Sequence, residues 1–287
     1  MPPAVNAKHL AKHLFCFGLG YSATVLAQRL LAEGWTVAGT VRSPEPALEA
    51  LGIQTHLFDS LTSEALAGAS HILSSVPPNA EGDPVLPRYQ SLIEAARPDW
   101  IGYLSTTGVY GDAQGEEVTE DSPLAPTSDR ARRRMEAERL WRGLSPSAHL
   151  FRLAGIYGPG SSVLDEIRAG KAKRIDKPGQ IFSRIHVEDI AQVVRASMRR
   201  PNPGRIYNVC DDNPAPPAEV VAHGCTLLGV EPPPLVPFAQ AQLSPMAQTF
   251  WADNKRVSNH RMKQELGLTL LYPSYHEGLA QCKTAAP

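Results

Sequence analysis

Short apolar runs recur along the first 210 residues, separated by stretches with helical spacing. The first run, Leu14-Phe15-Cys16-Phe17, is apolar without interruption, as a strand buried on both faces should be. A helix-like run follows over 24–32. Residues 35–41 read as a second strand, ended by Arg42-Ser43-Pro44, and 46–51 as a short helix. A third strand over 54–58 stops at Asp59. Residues 63–67 begin a helix capped by Thr62 or Ser63. A fourth strand over 71–76 is halted by Pro77-Pro78, 89–96 is helical, and a fifth strand over 100–104 runs into Ser105-Thr106-Thr107-Gly108-Val109-Tyr110-Gly111. Further on, the pattern predicts a helix over 130–142 and strands over 148–153, 184–187 and 205–209. It also predicts helices over 189–199, 217–228 and 256–266.

Strands alternating with helices predict an α/β fold, a doubly wound, Rossmann-type parallel sheet covered on both faces. Ligands of such sheets bind beyond the carboxyl ends of the strands. The turns at 18–23, 42–43, 59–60, 75–78 and 105–107 therefore should line one crevice. The first of them, Gly18-Leu19-Gly20-Tyr21-Ser22-Ala23, has the Gly-x-Gly-x-x-Ala layout of a dinucleotide-binding turn. Gly18 permits a tight turn. Gly20 lets backbone N–H groups of Tyr21 and Ser22 approach a diphosphate at a helix N-terminus, and Ala23 allows close helix–strand packing. An ordinary tight turn is the plainer alternative.

Bulk properties narrow the picture. The 287 residues carry a net charge of −1, which offers no field for nucleic acid or an anionic membrane. Cys16, Cys210, Cys225 and Cys282 lie far apart with no CxxC spacing, which argues against a zinc site and a disulfide framework and suits a reducing cytoplasm. Cys16 reads as a small core residue. No apolar stretch approaches the length of a membrane span, and the first dozen residues lack the apolar segment of a secretory signal. Neither metal, nucleic acid nor membrane is expected as a partner.

Five landmarks then fall in order. STTGVYG at 105–111, Pro126 with Glu138, FRLAGIYGPG at 151–160, RIHVEDIA at 184–191 and YNVCDD at 207–212 resemble those of the extended short-chain dehydrogenase/reductases, the family of nucleotide-sugar epimerases and dehydratases. The resemblance covers roughly residues 14 to 280. The shortened GLGYSA turn, against the family's Gly-x-x-Gly-x-x-Gly, points to an atypical branch. The resemblance implies a nucleotide-binding domain (13–155 plus 180–212), a small C-terminal α/β substrate lobe (156–179 plus 213–287) and an N-terminal extension (1–12). It implies that Thr106 bonds a substrate oxygen, that Asp59 meets the adenine, and that Ser75, Val76 and Pro77 flank the cofactor ribose. The oligomeric state stays open, although helices flanking the active-site segment often dimerise in this family.

The departure lies in the active-site helix. The family's Tyr-x-x-x-Lys would fall, counting from Pro126 and back from Glu138, on Arg130 and Arg134. Arginine is no general acid or base near neutral pH, but it can hold a carboxylate or stabilise an oxyanion. Losing a positioned general acid removes about 10²- to 10⁴-fold of rate. Arg130 and Arg134 are thus candidates for holding substrate, against a plainer reading in which the helix arginines pair with Glu136 and Glu138; Arg134 and Glu138 stand four apart. His186 and Asp189 read as structural, the Asp capping a helix that starts at Ile190. Tyr157 is a candidate for substitute acid, against a plainer reading in which it packs at its loop. The second strand ends without a carboxylate, so Arg42 and Ser43 suit the 2′-phosphate of NADP, with NAD the alternative. The expected function is an NADP(H)-dependent oxidoreductase acting on a small carbonyl or alcohol. A non-catalytic NADP(H) sensor and an epimerase/dehydratase are the alternatives.

Overall fold

Leu14, Phe15, Cys16 and Phe17 are all fully buried, because helices cover both faces of the strand that carries them. The structure is a computed structural model in which residues 12–284 are described. The extension expected over 1–12 lies, apart from Lys12, outside the described residues. The chain runs β1 (His13–Phe17), α1 (Tyr21–Leu31), β2 (Thr36–Val41), α2 (Pro46–Ala50), β3 (Gln54–Leu57), β4 (His71–Ser74), α3 (Leu86–Ala96), β5 (Trp100–Thr106), β6 (Glu117–Val118), α4 (Asp129–Leu144) and β7 (His149–Leu153). It continues with β8 (Gly155–Tyr157), α5 (Val163–Arg168), β9 (Arg174–Asp176), β10 (Arg184–His186), α6 (Val187–Arg199), β11 (Ile206–Val209), α7 (Pro217–Leu228), β12 (Leu235–Pro237), α8 (Pro245–Ala252), β13 (Arg256–Val257), α9 (His260–Leu266) and α10 (Tyr275–Thr284).

Seven strands form one parallel sheet in the order β11-β7-β5-β4-β1-β2-β3. Side chains alternate between its two faces. Leu14 and Cys16 join Leu26 and Leu30 of α1 and Val193 and Val194 of α6 in one core. Phe15 and Phe17 join Tyr89 and Ile93 of α3 and Trp141 of α4 in the other. Burial pushes the Cys16 thiol up to about 12, so it is an inert core group. All four cysteines are free and buried.

Helix α3 begins at Leu86, three residues before the expected start. Pro87 sits in its first turn, where a missing N–H costs nothing. The buried Asp83 carboxylate accepts the N–H groups of Val85 and Leu86, both at 2.9 Å, and the Trp141 indole N–H at 2.9 Å. One side chain thereby starts α3 and ties it to α4. The helix expected over 256–266 is instead the strand β13 followed by α9. Arg256 and Val257 pair with Glu117 and Val118 of β6, a long-range contact that overrides local helical spacing. A separate small core formed by Tyr157, Leu164, Val220, Tyr275 and Leu279 holds α5, α7 and α10 together as a lobe beside the sheet. Among the described residues, no helix is long and apolar enough to cross a membrane.

Candidate active site

The sheet order places the sequence-selected cofactor residues along one edge. Asp59 follows β3, Arg42 and Ser43 follow β2, Gly18 to Ser22 follow β1, Ser75 to Pro77 follow β4, and Thr106 ends β5. At about 4.8 Å per strand, this row from β3 to β5 spans about 19 Å, the reach of an extended dinucleotide. The turn after β1 is anchored from below. Gly18 N–H donates to Thr40 Oγ1 at 2.8 Å, Leu19 N–H to the Thr40 carbonyl at 2.9 Å, and Ser75 Oγ to the Gly18 carbonyl at 2.5 Å. Gly18 has φ +84, and a Cβ there would stand 2.9 Å from Val76 Cγ2, so only glycine fits. Thr40 is buried and was not singled out from the sequence, where it reads as one more β-branched strand residue.

Helix α1 starts without a side-chain cap and without an acidic residue in its first turn. A Cβ built on Gly20 would meet nothing within 4 Å among the described residues. An open, uncapped N-terminus floored by glycine is the geometry that accepts a phosphate. The residues present thus fit a dinucleotide. Gly20, Tyr21 and Ser22 would hold its diphosphate through backbone N–H groups. The Tyr21 hydroxyl is itself engaged, donating to the Pro159 carbonyl at 2.9 Å and tying the turn to the loop after β8. Arg42 and Ser43 are exposed, and among the described residues Arg42 has no ion-pair partner. Asp59 is exposed and forms an ion pair with Arg88.

Beyond β5 opens a cavity of about 790 Å³ between the sheet and the lobe. Thr106, Gly108, Tyr157, Arg184, Trp251 and Lys255 are among its lining residues. Thr106 Oγ1 accepts the Gly108 N–H at 3.1 Å, which fixes the turn and leaves the hydroxyl proton available to a ligand. Arg130 and Arg134 are not among the lining residues. Arg130 is exposed beside Met246 and Phe250 of α8. Arg134 turns back on the sheet, donating to the Leu104 carbonyl at 2.9 Å and the Tyr103 hydroxyl at 3.0 Å. It braces β5.

The proposed Arg134–Glu138 pair does not form. Glu138 is taken by Arg152, with Nη2 to Oε2 at 2.8 Å and both side chains at most 5% exposed, and it also accepts Ser105 Oγ at 2.5 Å. On the outer face, Arg132 pairs with Asp129 and Arg139 with Glu136. Tyr157 is spent structurally, its hydroxyl donating to the Ser274 carbonyl at 3.3 Å, and burial raises its pKa. Helix α6 starts at Val187 rather than Ile190, with His186 as its cap: Nδ1 accepts the Glu188 N–H at 3.3 Å. Desolvation lowers the His186 pKa to about 4, keeping the ring neutral. Asp189 instead accepts the N–H groups of Leu271 and Tyr272, at 2.7 and 3.1 Å, and docks the C-terminal segment.

Asp211 is 2% exposed, its Oδ2 has no hydrogen-bond partner among the described residues, and desolvation pushes its pKa up to about 7. In the unfolded chain the same group ionises near 4. The native state therefore keeps a proton that the unfolded state loses, and stability falls as pH rises from about 4 through about 7. Asp211→Asn should add about 1–3 kcal/mol over the parent protein at pH 8 and nothing below pH 4, measured by urea unfolding across pH. Equal gains at both ends would show that Asp211 ionises at the same pH in the folded and unfolded chain.

Comparison with known proteins agrees with this geometry. A model of the NAD dependent epimerase/dehydratase family matches residues 89–210, from α3 through β11. Protein YeeZ of Escherichia coli strain K12 is 31% identical over 281 residues, covering 91% of this chain and 97% of that protein. The 3-diazoavenalumate denitrifying reductase of a Streptomyces species is 28% identical over 291 residues, covering 89% and 95%. The solved structure of a conserved protein of unknown function from Silicibacter pomeroyi DSS is 47% identical with a TM-score of 0.89, covering 95% of this chain and 98% of that one. Structures below 25% identity, solved with NAD or with NADPH, share the fold. With the glycine turn at β1, the Thr-bearing end of β5 and a separate lobe enclosing a cavity above them, the chain belongs to the NAD-dependent epimerase/dehydratase family of NAD(P)-dependent enzymes.

Proposed function

We propose that this protein is an NADP(H)-dependent oxidoreductase that moves hydride to or from a small carbonyl or alcohol substrate held in the cavity beyond β5. One observation carries the reading: Thr106, at the end of β5, lines that cavity two strands along from the dinucleotide turn at β1, and Arg130 and Arg134, at the family's Tyr and Lys places, do not line it. A bound dihydronicotinamide would supply the hydride. Gly18, Gly20, Tyr21 and Ser22 form the diphosphate seat, Ser75, Val76 and Pro77 border the ribose, and Asp59 lies at the adenine end. The Thr106 hydroxyl orients the substrate oxygen. The wall is largely apolar, including Ile156, Phe182, Val220 and Trp251, and sheds water from the reacting centre. Arg134 keeps β5 in place through Leu104, and Arg130 borders the cavity only through α8. The name of the Streptomyces relative, a reductase, supports net reduction.

The family description favours a second reading, epimerase or dehydratase chemistry with internal hydride transfer. That chemistry leans harder on the missing phenol. NADPH absorbance followed against a panel of aldehydes, ketones and quinones separates the readings. Stoichiometric oxidation of NADPH supports the reductase. Conversion of a substrate with no net change in the cofactor supports the epimerase or dehydratase, and binding without either supports a sensor.

NADP specificity rests on Arg42. Arg42→Ala should weaken NADPH binding about tenfold or more and leave NADH binding within about twofold, read by calorimetric titration. An equal loss for both coenzymes would remove Arg42 from the 2′-phosphate site.

A further inference from the structure

We propose that Lys255 takes the place of the missing phenol, stabilising the substrate's reacting oxygen and giving it a proton. This rests on the hydride-transfer reading above. Lys255 arrives from the loop between α8 and β13 and lines the same cavity as Thr106 and Gly108. Its Nζ donates to the Gly111 carbonyl at 2.6 Å, in the segment that starts at Thr106, and to Asp253 Oδ2 at 3.2 Å. Both ends of that ion pair are largely withdrawn from solvent, the lysine side chain 11% exposed and the aspartate 13%.

The pair is held from outside the cavity. Thr127 Oγ1 donates to Asp253 Oδ1 at 2.7 Å. Gly111 is pinned at φ +69, and a Cβ there would stand 1.9 Å from the Ala125 carbonyl, so the carbonyl that receives Lys255 has little freedom. An ammonium carries three donors, and the protein takes two. Among the described residues one N–H remains for a ligand in the cavity that Thr106 also lines.

The other titratable groups on the wall are placed differently. Lys173 Nζ donates to the Gln242 carbonyl at 2.8 Å. Arg184 Nη1 is held by the Phe182 and Ala215 carbonyls at 2.8 and 3.1 Å, and Tyr157 is spent on Ser274. Glu166 and Lys171 belong to the exposed rim contributed by α5 and the residues after it. None of these bonds the segment from Thr106 to Gly111.

The step balances with a reduced nicotinamide dinucleotide as reductant. The carbonyl carbon gains a hydride, and its π pair moves onto oxygen. An N–H bond of the Lys255 ammonium breaks as the O–H bond forms. The product is the alcohol with oxidised dinucleotide, and the neutral amine is reprotonated from water. Lysine supplies in one group the charge and the proton that the family divides between two.

The test uses benzoate as a mimic of the oxyanion and benzamide as its neutral counterpart, titrated calorimetrically into the full chain saturated with NADP. Benzoate should bind about tenfold tighter than benzamide. Lys255→Met should remove that preference, Lys255→Arg should keep it, and both variants should bind NADP within about twofold of the parent. With NADPH and phenanthrenequinone, Lys255→Met should lose about 100-fold in kcat, partly restored by arginine. A parent protein without the preference, or a Lys255→Met protein that retains it, overturns the proposal. If the parent oxidises NADPH with no carbonyl, the oxidoreductase reading fails, while the benzoate comparison still decides whether Lys255 meets an oxyanion.

Discussion

Gly20→Val is expected to cost about 100-fold or more in NADPH affinity while Tm stays within about 2 °C of the parent. The two halves of this expectation come from one local geometry. Gly20 sits at φ −83 and ψ −174, extended backbone that valine adopts without strain. A Cβ at this position meets no atom of the described residues within 4 Å, so the free protein gains no clash there. The valine methyl groups would project into the space that a diphosphate needs if backbone N–H groups at the start of α1 are to reach it. Gly18 would not serve, because its positive φ and its closeness to Val76 make any substitution a folding defect first. Calorimetry for binding and scanning calorimetry for stability check the two halves separately. A Gly20→Val protein that binds NADPH as the parent does would move the diphosphate away from this turn.

Arg152→Met should lower the unfolding free energy by about 3–5 kcal/mol, because it strands the Glu138 carboxylate in the interior. Arg152 supplies three bonds to Glu138, between 2.8 and 3.3 Å, and its Nη1 donates to the Tyr110 hydroxyl at 2.8 Å. Tyr110 donates in turn to Asn208 Oδ1 at 2.6 Å, and the Asn208 N–H reaches Glu120 at 2.9 Å. The network joins β5, α4, β7 and β11 directly beneath the end of β5. Ser105, which donates to Glu138, immediately precedes Thr106. Loss of the arginine therefore should loosen the turn that carries Thr106 as well as the core. The double variant Arg152→Met with Glu138→Gln should recover part of the loss, since it removes the unpaired charge. Urea unfolding measures both. A loss below about 1 kcal/mol for the single variant would mean that water or another cation satisfies Glu138.

The sheet was legible because β1 is apolar and buried on both faces and, apart from the edge strand β3, short strand-like runs recur between helical stretches. No cross-chain information is needed to see that Leu14 to Phe17 must be covered twice. The turn after β1 was legible because Gly18 and Gly20 close an apolar run, and Gly18 takes the positive φ that a tight turn there requires. Side-chain partnerships were less so. Helical spacing offers Arg134, four residues back, as an alternative partner for Glu138, but Arg152 reaches it from β7 with five possible donors and a dry site. Asp189 was assigned to its own helix, yet its carboxylate is used 82 residues away at Leu271, an attachment with no local signal. The lobe was hardest. Arg256 and Val257 carry helical spacing and become a strand because Glu117 and Val118 offer an edge. Nothing in the residues around Lys255 singles it out, and only the return of the chain from α8 to Gly111 brings it to the wall that Thr106 shares.

The measurement that bears most directly on the whole account is calorimetric titration of the purified parent protein with NADPH and with NADH. One site of micromolar affinity for NADPH, at least about tenfold weaker for NADH, and absent in Gly20→Val, is the predicted result. Folded protein that takes up neither coenzyme at millimolar concentration would contradict it.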